Sequence, residues 1–95
     1  MAVVVTMEIA NSSTEQYDQV FKVTNPDGEP AASGIFHVVA DDGKGGLFIC
    51  DVWETPEAFQ TFVDTKIGPA MASIGSTEQP KVTILPVHNF LERKR

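Results

Sequence analysis

The segment that decides the fold runs from residue 35 to residue 59 and reads IFHVVADDGKGGLFICDVWETPEAF. An apolar strand pattern is followed by a turn rich in aspartate and glycine, and then by a second apolar strand pattern. This order predicts a β-hairpin with strands at Ile35–Ala40 and Leu47–Trp53. Thr55 and Pro56 come next, and they suit the N-cap and the first position of a helix. The segment therefore predicts two paired strands followed directly by a helix.

The flanking sequence supplies the remaining elements: a strand at Ala2–Ile9, a helix at Thr14–Val23 and a strand at Lys81–Val87. Ser12 and Ser13 are alternative N-caps for the first helix, and residues 25–30 form a turn signal after it. Gly68 and Pro69 interrupt the apolar stripe of the second helix, which predicts a kink or a break. The order β-α-β-β-α-β predicts one α+β domain over residues 1–95. Its expected architecture is ferredoxin-like, a four-stranded antiparallel sheet with two helices on one face.

The charge balance and the single cysteine exclude several classes of function. Thirteen acidic residues against seven basic ones give a net charge of −6, which argues against nucleic acid as a partner. Cys50 is expected to be a small buried hydrophobic residue, and no spacing of Cys and His predicts a metal site. No cofactor motif, signal peptide or membrane span is evident. We therefore expect a cytoplasmic protein without metal, cofactor or membrane partner.

All four predicted strands are nearly continuous apolar runs. A sheet with one face in water would alternate apolar and polar residues, so both faces of this sheet are expected to be buried. The two helices cover only one face. A second copy of the chain is the simplest cover for the other, which predicts a homodimer whose sheets enclose a cavity or a core.

Polar residues within or beside the apolar strands are the candidate site residues. His37 and Asp51 fall opposite each other in the predicted hairpin, with Cβ atoms about 5 Å apart. We expect them to form a catalytic pair lining the space between two sheets or, alternatively, a buried polar pair that fixes the strand register or the dimer interface. Thr6, Trp53 and His88 are candidate substrate-binding residues. Trp53 is equally well explained as a core or interface aromatic, and His88 as an exposed or interface residue.

One further polar aromatic residue lies on the first predicted helix. Tyr17 is a donor to a pocket or, as is more common for a residue on such a helix, a surface or interface residue.

Two stretches resemble a known family. The segment DVWETPEAF (51–59) resembles the strand-to-helix segment of antibiotic-biosynthesis-monooxygenase-like proteins, and LPVHNF (85–90) resembles the last strand of a subgroup with the same fold. The resemblance covers nearly the whole chain in order and length. It implies a dimeric α+β barrel in a superfamily of cofactor-free monooxygenases, haem-degrading enzymes, isomerases and uncharacterised proteins.

The haem-degrading branch has a motif of asparagine on the first strand, then tryptophan and histidine on the second helix. The corresponding positions here hold Thr6 or Met7, Phe62 and Ala72, which argues against haem degradation. A monooxygenase of the family needs an apolar cavity, a base and donors for a substrate anion. His37 as base and Asp51 as its orienting partner meet that need, with Thr6 and Trp53 as cavity groups.

The resulting expectation is a cofactor-independent monooxygenase acting on an aromatic or polyketide-like small molecule. The alternative is a non-catalytic dimeric barrel that binds a small hydrophobic molecule or has a structural role. A cavity with His37 pointing into it distinguishes the first from a barrel packed solid by its own side chains.

Overall fold

The computed structural model describes residues 1–28, 31–75 and 79–91. The strands are β1 (Val3–Ile9), β2 (Gly34–Asp41), β3 (Leu47–Trp53) and β4 (Lys81–Pro86). The helices are α1 (Thr14–Thr24), α2 (Pro56–Phe62) and α3 (Gly68–Ser73), with a π-helical turn at Val63–Ile67 between the last two. The predicted element order is confirmed. The end of the predicted turn at residues 29–30 and the C-terminal residues 92–95 lie outside the described residues.

The four strands form one antiparallel sheet in the order β2-β3-β1-β4. β1 lies inside the sheet and pairs along its length with β3 on one side and β4 on the other. α2, the π-helical turn and α3 follow one another without a gap. Together they form the second helical segment, which lies beside α1. The ferredoxin-like α+β fold predicted from the element order is therefore confirmed.

Side-chain caps begin two of the helices. The hydroxyl of Ser13 accepts a hydrogen bond from the backbone N–H of Gln16 at 3.1 Å, so Ser13 is the cap of α1. The hydroxyl of Thr55 accepts from the N–H of Ala58 at 3.0 Å. Each bond satisfies a backbone donor that the first turn of a helix leaves without a partner.

The interruption predicted at Gly68 and Pro69 takes the form of a π-helical turn. The N–H of Gly68 bonds to the carbonyl of Val63, five residues earlier, and the helix then continues as α3. Proline has no N–H, and its ring clashes with the carbonyl four residues before it. The wider π-helical turn lets the chain accommodate Pro69 while the helix continues. Such turns are frequent at functional sites.

The two faces of the sheet have different surroundings. On the helix-covered face, Val3, Val5 and Trp53 form a buried core cluster with Phe59 of α2. The opposite face, called here the open face, carries large apolar side chains that are between 40% and 56% exposed. These are Phe36, Val38, Phe48 and Leu85. Both faces of the sheet are therefore apolar and the described helices lie against one of them, while burial of the open face stays a prediction.

No helix in the described ranges is long and apolar enough to cross a membrane.

Candidate functional site

A cavity of about 560 Å³ lies between the sheet and the helices. Sites for drug-sized ligands typically measure about 300–1,000 Å³ and are mostly apolar with a few converging polar groups. The lining here fits that description. Its apolar part includes Met7, Phe21, Ile49, Phe62 and Met71, and its polar part includes Tyr17, His37, Asp51 and Trp53.

His37 and Asp51 form a hydrogen-bonded pair in this cavity. They are directly opposite each other on β2 and β3, as the hairpin predicts, and His37 Nδ1 lies 2.6 Å from Asp51 Oδ1. The second carboxylate oxygen, Asp51 Oδ2, accepts a hydrogen bond from Trp53 Nε1 at 3.2 Å. Asp51 is only 4% exposed, so both of its oxygens are held by protein donors away from bulk water. The predicted pairing is confirmed, and Trp53 is its third member.

The pair lies on the other side of the sheet from where we predicted it. Asp51 pairs with Val5, a fully buried residue of the helix-covered face, so His37 and Asp51 also point toward the helices. The prediction that they line a space between two sheets is therefore wrong. The alternation of strand residues shows which side chains share a face, but only the packing of α2 shows which face is covered.

Tyr17 of α1 completes this group of polar side chains. The sequence alone had left its role open between a pocket donor and a surface or interface residue. Its hydroxyl lies 2.5 Å from His37 Nε2, and its ring is nearly parallel to the imidazole and stacks on Phe21. Burial, followed by the negative charges of Asp51 and Asp18, raises the pKa of the Tyr17 phenol. The spacing of Tyr17 and Phe21, four residues apart on one helix face, was the signal that places Tyr17 toward the sheet.

The hydrogen positions follow from the chemistry of the partners. An ionised carboxylate only accepts hydrogen bonds, so in the neutral imidazole Nδ1 carries the hydrogen that binds Asp51. Nε2 then has a lone pair and accepts from the hydroxyl of Tyr17. Tyr17, His37 and Asp51 form a chain that can take up a proton at His37 and stabilise the resulting charge with the carboxylate. We call this chain the relay.

Trp53 combines the two roles considered for it. Its ring contacts Phe59 edge to face at 5.9 Å between centroids and Phe62 at 5.2 Å, as expected of a core aromatic. It also lines the cavity, and its N–H holds Asp51.

The other two candidate residues lie apart from the relay. Thr6 pairs with Cys50 and Thr83 on the open face, because residues next to Val5 on β1 point to the opposite side. His88 follows β4 and lines a separate, more open depression of about 430 Å³ together with Val52. Neither residue lines the cavity that contains His37. Any ligand contact by Thr6 or His88 would belong to a different surface.

Cys50 is a half-buried, unpaired residue of β3. Burial, and then the charge of Asp51, raises the pKa of its thiol, which favours the unreactive protonated form. Within the described ranges, His, Cys, Asp and Glu side chains form no group of three that could hold a metal ion.

Comparison with known proteins identifies the architecture. No protein-family model and no curated protein sequence matches the chain. Among solved structures, a Deinococcus radiodurans protein described as an antibiotic biosynthesis monooxygenase superposes with a TM-score of 0.69. The identity is 13%, and the match covers 98% of this chain and 99% of that one. SnoaB, a cofactor-independent oxygenase from Streptomyces nogalater, superposes with a TM-score of 0.67 at 12% identity, over 97% and 98% of the two chains. The chain has the fold of the antibiotic biosynthesis monooxygenases.

The same fold also accommodates other ligands. MhuD, crystallised with two manganese protoporphyrin IX molecules in each active site, superposes with a TM-score of 0.62. Its identity is 15%, and the match covers 98% of this chain and 100% of that one. At such identities the shared property is the fold, so function has to be argued from the residues in the cavity.

Proposed function

We propose that the protein is a cofactor-independent monooxygenase whose substrate is an uncharged aromatic or polyketide-like molecule with an acidic hydroxyl or enol group. The supporting observation is the His37–Asp51 pair in the wall of an apolar cavity of about 560 Å³. A base in such a cavity can remove a proton from the substrate, and the carboxylate stabilises the imidazolium that forms.

The reaction balances with dioxygen as the only co-substrate. Loss of the hydroxyl or enol proton leaves an electron-rich anion, which transfers one electron to dioxygen. The substrate radical and the superoxide combine at a ring carbon to give a peroxide anion, which takes back the proton held by the protein and becomes a hydroperoxide. This intermediate eliminates water and leaves a new carbonyl group, so one oxygen atom enters the product and the other enters water. The protein supplies the base, the electrostatic partner of the base and an apolar enclosure for the anion.

The charges around the cavity favour an uncharged substrate. Asp51 is the one acidic residue among the described residues that line the cavity, and none of them is Lys or Arg. A carboxylate or phosphate on the ligand would therefore lose its water shell beside a negative charge without gaining a cation. Phenols, naphthols and enolisable polycyclic ketones carry an acidic proton and no formal charge.

The experiment that tests this function uses anthrone, an enolisable three-ring ketone. We expect purified protein to accelerate dioxygen uptake over the buffer blank, with one anthraquinone formed for each dioxygen consumed. An oxygen electrode and chromatography of the product measure the two quantities. Binding of anthrone without faster oxidation would contradict the proposed monooxygenase activity and favour the alternative of a non-catalytic binding barrel.

Charge preference can be measured with the same protein. Trp53 is the single tryptophan and lines the cavity, so ligand binding is expected to change its fluorescence. We expect 2-naphthol to bind at least about tenfold more tightly than 2-naphthoate, a difference of about 1.4 kcal/mol. Equal affinity would show that Asp51 does not control which ligands enter.

We also propose that a second copy of the chain covers the open face in solution. Large apolar side chains of three strands are exposed on this face, which is typical of an interaction surface, and two-fold dimers are the commonest oligomers. The cytoplasmic location stays a prediction from the sequence.

Val38→Glu tests this interface, because Val38 is 44% exposed on the open face and points away from the relay. A charge buried in a dimer interface without a partner is strongly unfavourable. We expect sedimentation to show a dimer for the wild type and a monomer for V38E. The matched control is Val23→Glu on α1, which is 64% exposed outside the open face and is expected to stay dimeric. A monomeric wild type would overturn the proposal.

A further inference from the structure

The hydroxyl of Tyr17 occupies the one atom of His37 that could accept a proton. A neutral imidazole has one N–H and one lone pair. Asp51 binds the N–H at Nδ1, at 2.6 Å, and Tyr17 binds the lone pair at Nε2, at 2.5 Å. A substrate hydroxyl therefore has no free acceptor on His37 while the relay is intact. The oxygen of Tyr17 can still accept, because a hydroxyl has two lone pairs.

We infer that Tyr17 is the catalytic group that receives the substrate proton and that His37 is where the charge is finally held, an inference that rests on the proposed function. The substrate O–H bond breaks and its proton moves to Tyr17 Oη. In the same step the original phenol proton of Tyr17 moves to His37 Nε2. The products are a substrate anion, a neutral Tyr17 and an imidazolium paired with Asp51. This step is a proton transfer alone and needs no oxidant.

The surroundings of Tyr17 suit this role in three ways. Its ring is positioned by Phe21, with 5.7 Å between ring centroids, and by the nearly parallel imidazole of His37. Tyr17 itself lines the cavity, so a bound ligand can reach its oxygen. Burial and the negative charges of Asp51 and Asp18 raise the pKa of the phenol. The raised pKa disfavours a free tyrosinate, which favours movement of the two protons in one step.

After the proton transfer, each new charge has a hydrogen-bonding partner. The imidazolium of His37 is next to the carboxylate of Asp51, whose second oxygen is held by Trp53. Tyr17, again a phenol, donates its hydrogen bond to the new substrate anion. Trp53 is thus a positioning residue, which acts through Asp51, whereas Tyr17 contacts the reacting oxygen.

A coloured phenol tests the relay without any oxygenase reaction. The probe is 4-nitrophenol, which is yellow only as the phenolate, and binding is followed separately by the fluorescence of Trp53. With wild-type protein we expect the bound probe to be yellow below the pH at which free probe ionises, corresponding to an apparent pKa lowered by about one unit, or tenfold. Tyr17→Phe is expected to lose most of this shift while still binding the probe.

The other arms of the experiment test the role of His37 and of the acidic proton of the probe. His37→Gln should lose the shift as well, and the double variant should lose no more than the larger single loss, because the two residues act as a unit. The ligand control is 4-nitroanisole, which lacks the acidic proton and should bind wild type and Y17F equally. A full yellow shift in Y17F, or no shift in the wild type, would overturn the relay.

The two hypotheses can fail separately. Ionisation of 4-nitrophenol that depends on Tyr17, without oxidation of anthrone, would support the relay and reject the monooxygenase. Oxidation of anthrone at the wild-type rate by Y17F would support the monooxygenase and reject the role of Tyr17.

Discussion

Replacing His37 by glutamine is expected to lower the rate of anthrone oxidation by about 10²- to 10⁴-fold, the usual contribution of a positioned acid or base. Glutamine has a similar length and can hydrogen-bond to Tyr17, but its amide is not a base and does not accept an additional proton at neutral pH. The loss should therefore be in kcat, with little change in the affinity measured by the fluorescence of Trp53. Oxygen uptake under saturating anthrone gives the rate.

The chain offers a matched control because it contains two histidines. His88→Gln makes the same chemical change outside the cavity and should leave the rate within a few-fold of the wild type. An equal loss in both variants would mean that His88 belongs to the site after all, as the sequence alone allowed. An unchanged rate in H37Q would remove His37 as the group that holds the proton.

Asp51→Asn is expected to lower the same rate even though the side chain keeps its shape. The asparagine amide has no negative charge with which to stabilise the imidazolium of His37. Exchange of one carboxylate oxygen for an NH₂ group can also reverse the hydrogen bond and impose the wrong tautomer. The loss should be similar in H37Q and in H37Q/D51N, because the residues act through one proton.

Phe59→Ala should lower the free energy of unfolding by about 3–5 kcal/mol. Phe59 is 4% exposed and packs in the core cluster with Val3, Val5 and Trp53, so truncation leaves a cavity where the helix meets the sheet. Urea denaturation with an unchanged m-value measures the loss. If F59A is too unstable to fold, Phe59→Leu should show a smaller loss in the same direction.

Phe90→Ala is the comparison for that measurement. Phe90 is 38% exposed and has an edge contact with Phe36. F90A should therefore lower the free energy of unfolding by less than half as much as F59A. Equal losses in the two variants would contradict the assignment of the core to the helix-covered face.

Local signals explain why so much of the architecture was predictable. The hydroxyl caps of α1 and α2 depend on residues three positions apart, and the hairpin depends on two strands, β2 and β3, that are joined by the short turn 42–46. The facing of His37 and Asp51 follows from the hairpin, because each residue of one strand has a defined partner on the other. The apolar character of the second face was visible directly in the missing alternation along the strands.

The rest of the site depended on contacts between distant segments. Tyr17 and His37 are twenty residues apart, and nothing in the turn between them indicates that their side chains meet. Trp53 and Asp51 lie on the same face of β3, but strand alternation does not require the N–H of Trp53 to bond to Asp51. The contact of Tyr17 with His37 depends on where α1 packs across the sheet.

The sequence by itself determined the order of the elements, the Thr55 cap of α2, the pairing of His37 with Asp51 and the apolar character of both sheet faces. Those properties depend on backbone periodicity and short-range hydrogen bonds, which residue spacing encodes directly. Only the tertiary structure decided that the pair faces the helices, that Tyr17 joins it and that Thr6 and His88 do not. The reason is that alternation along a strand has two equivalent sides, and only helix packing makes one of them a cavity.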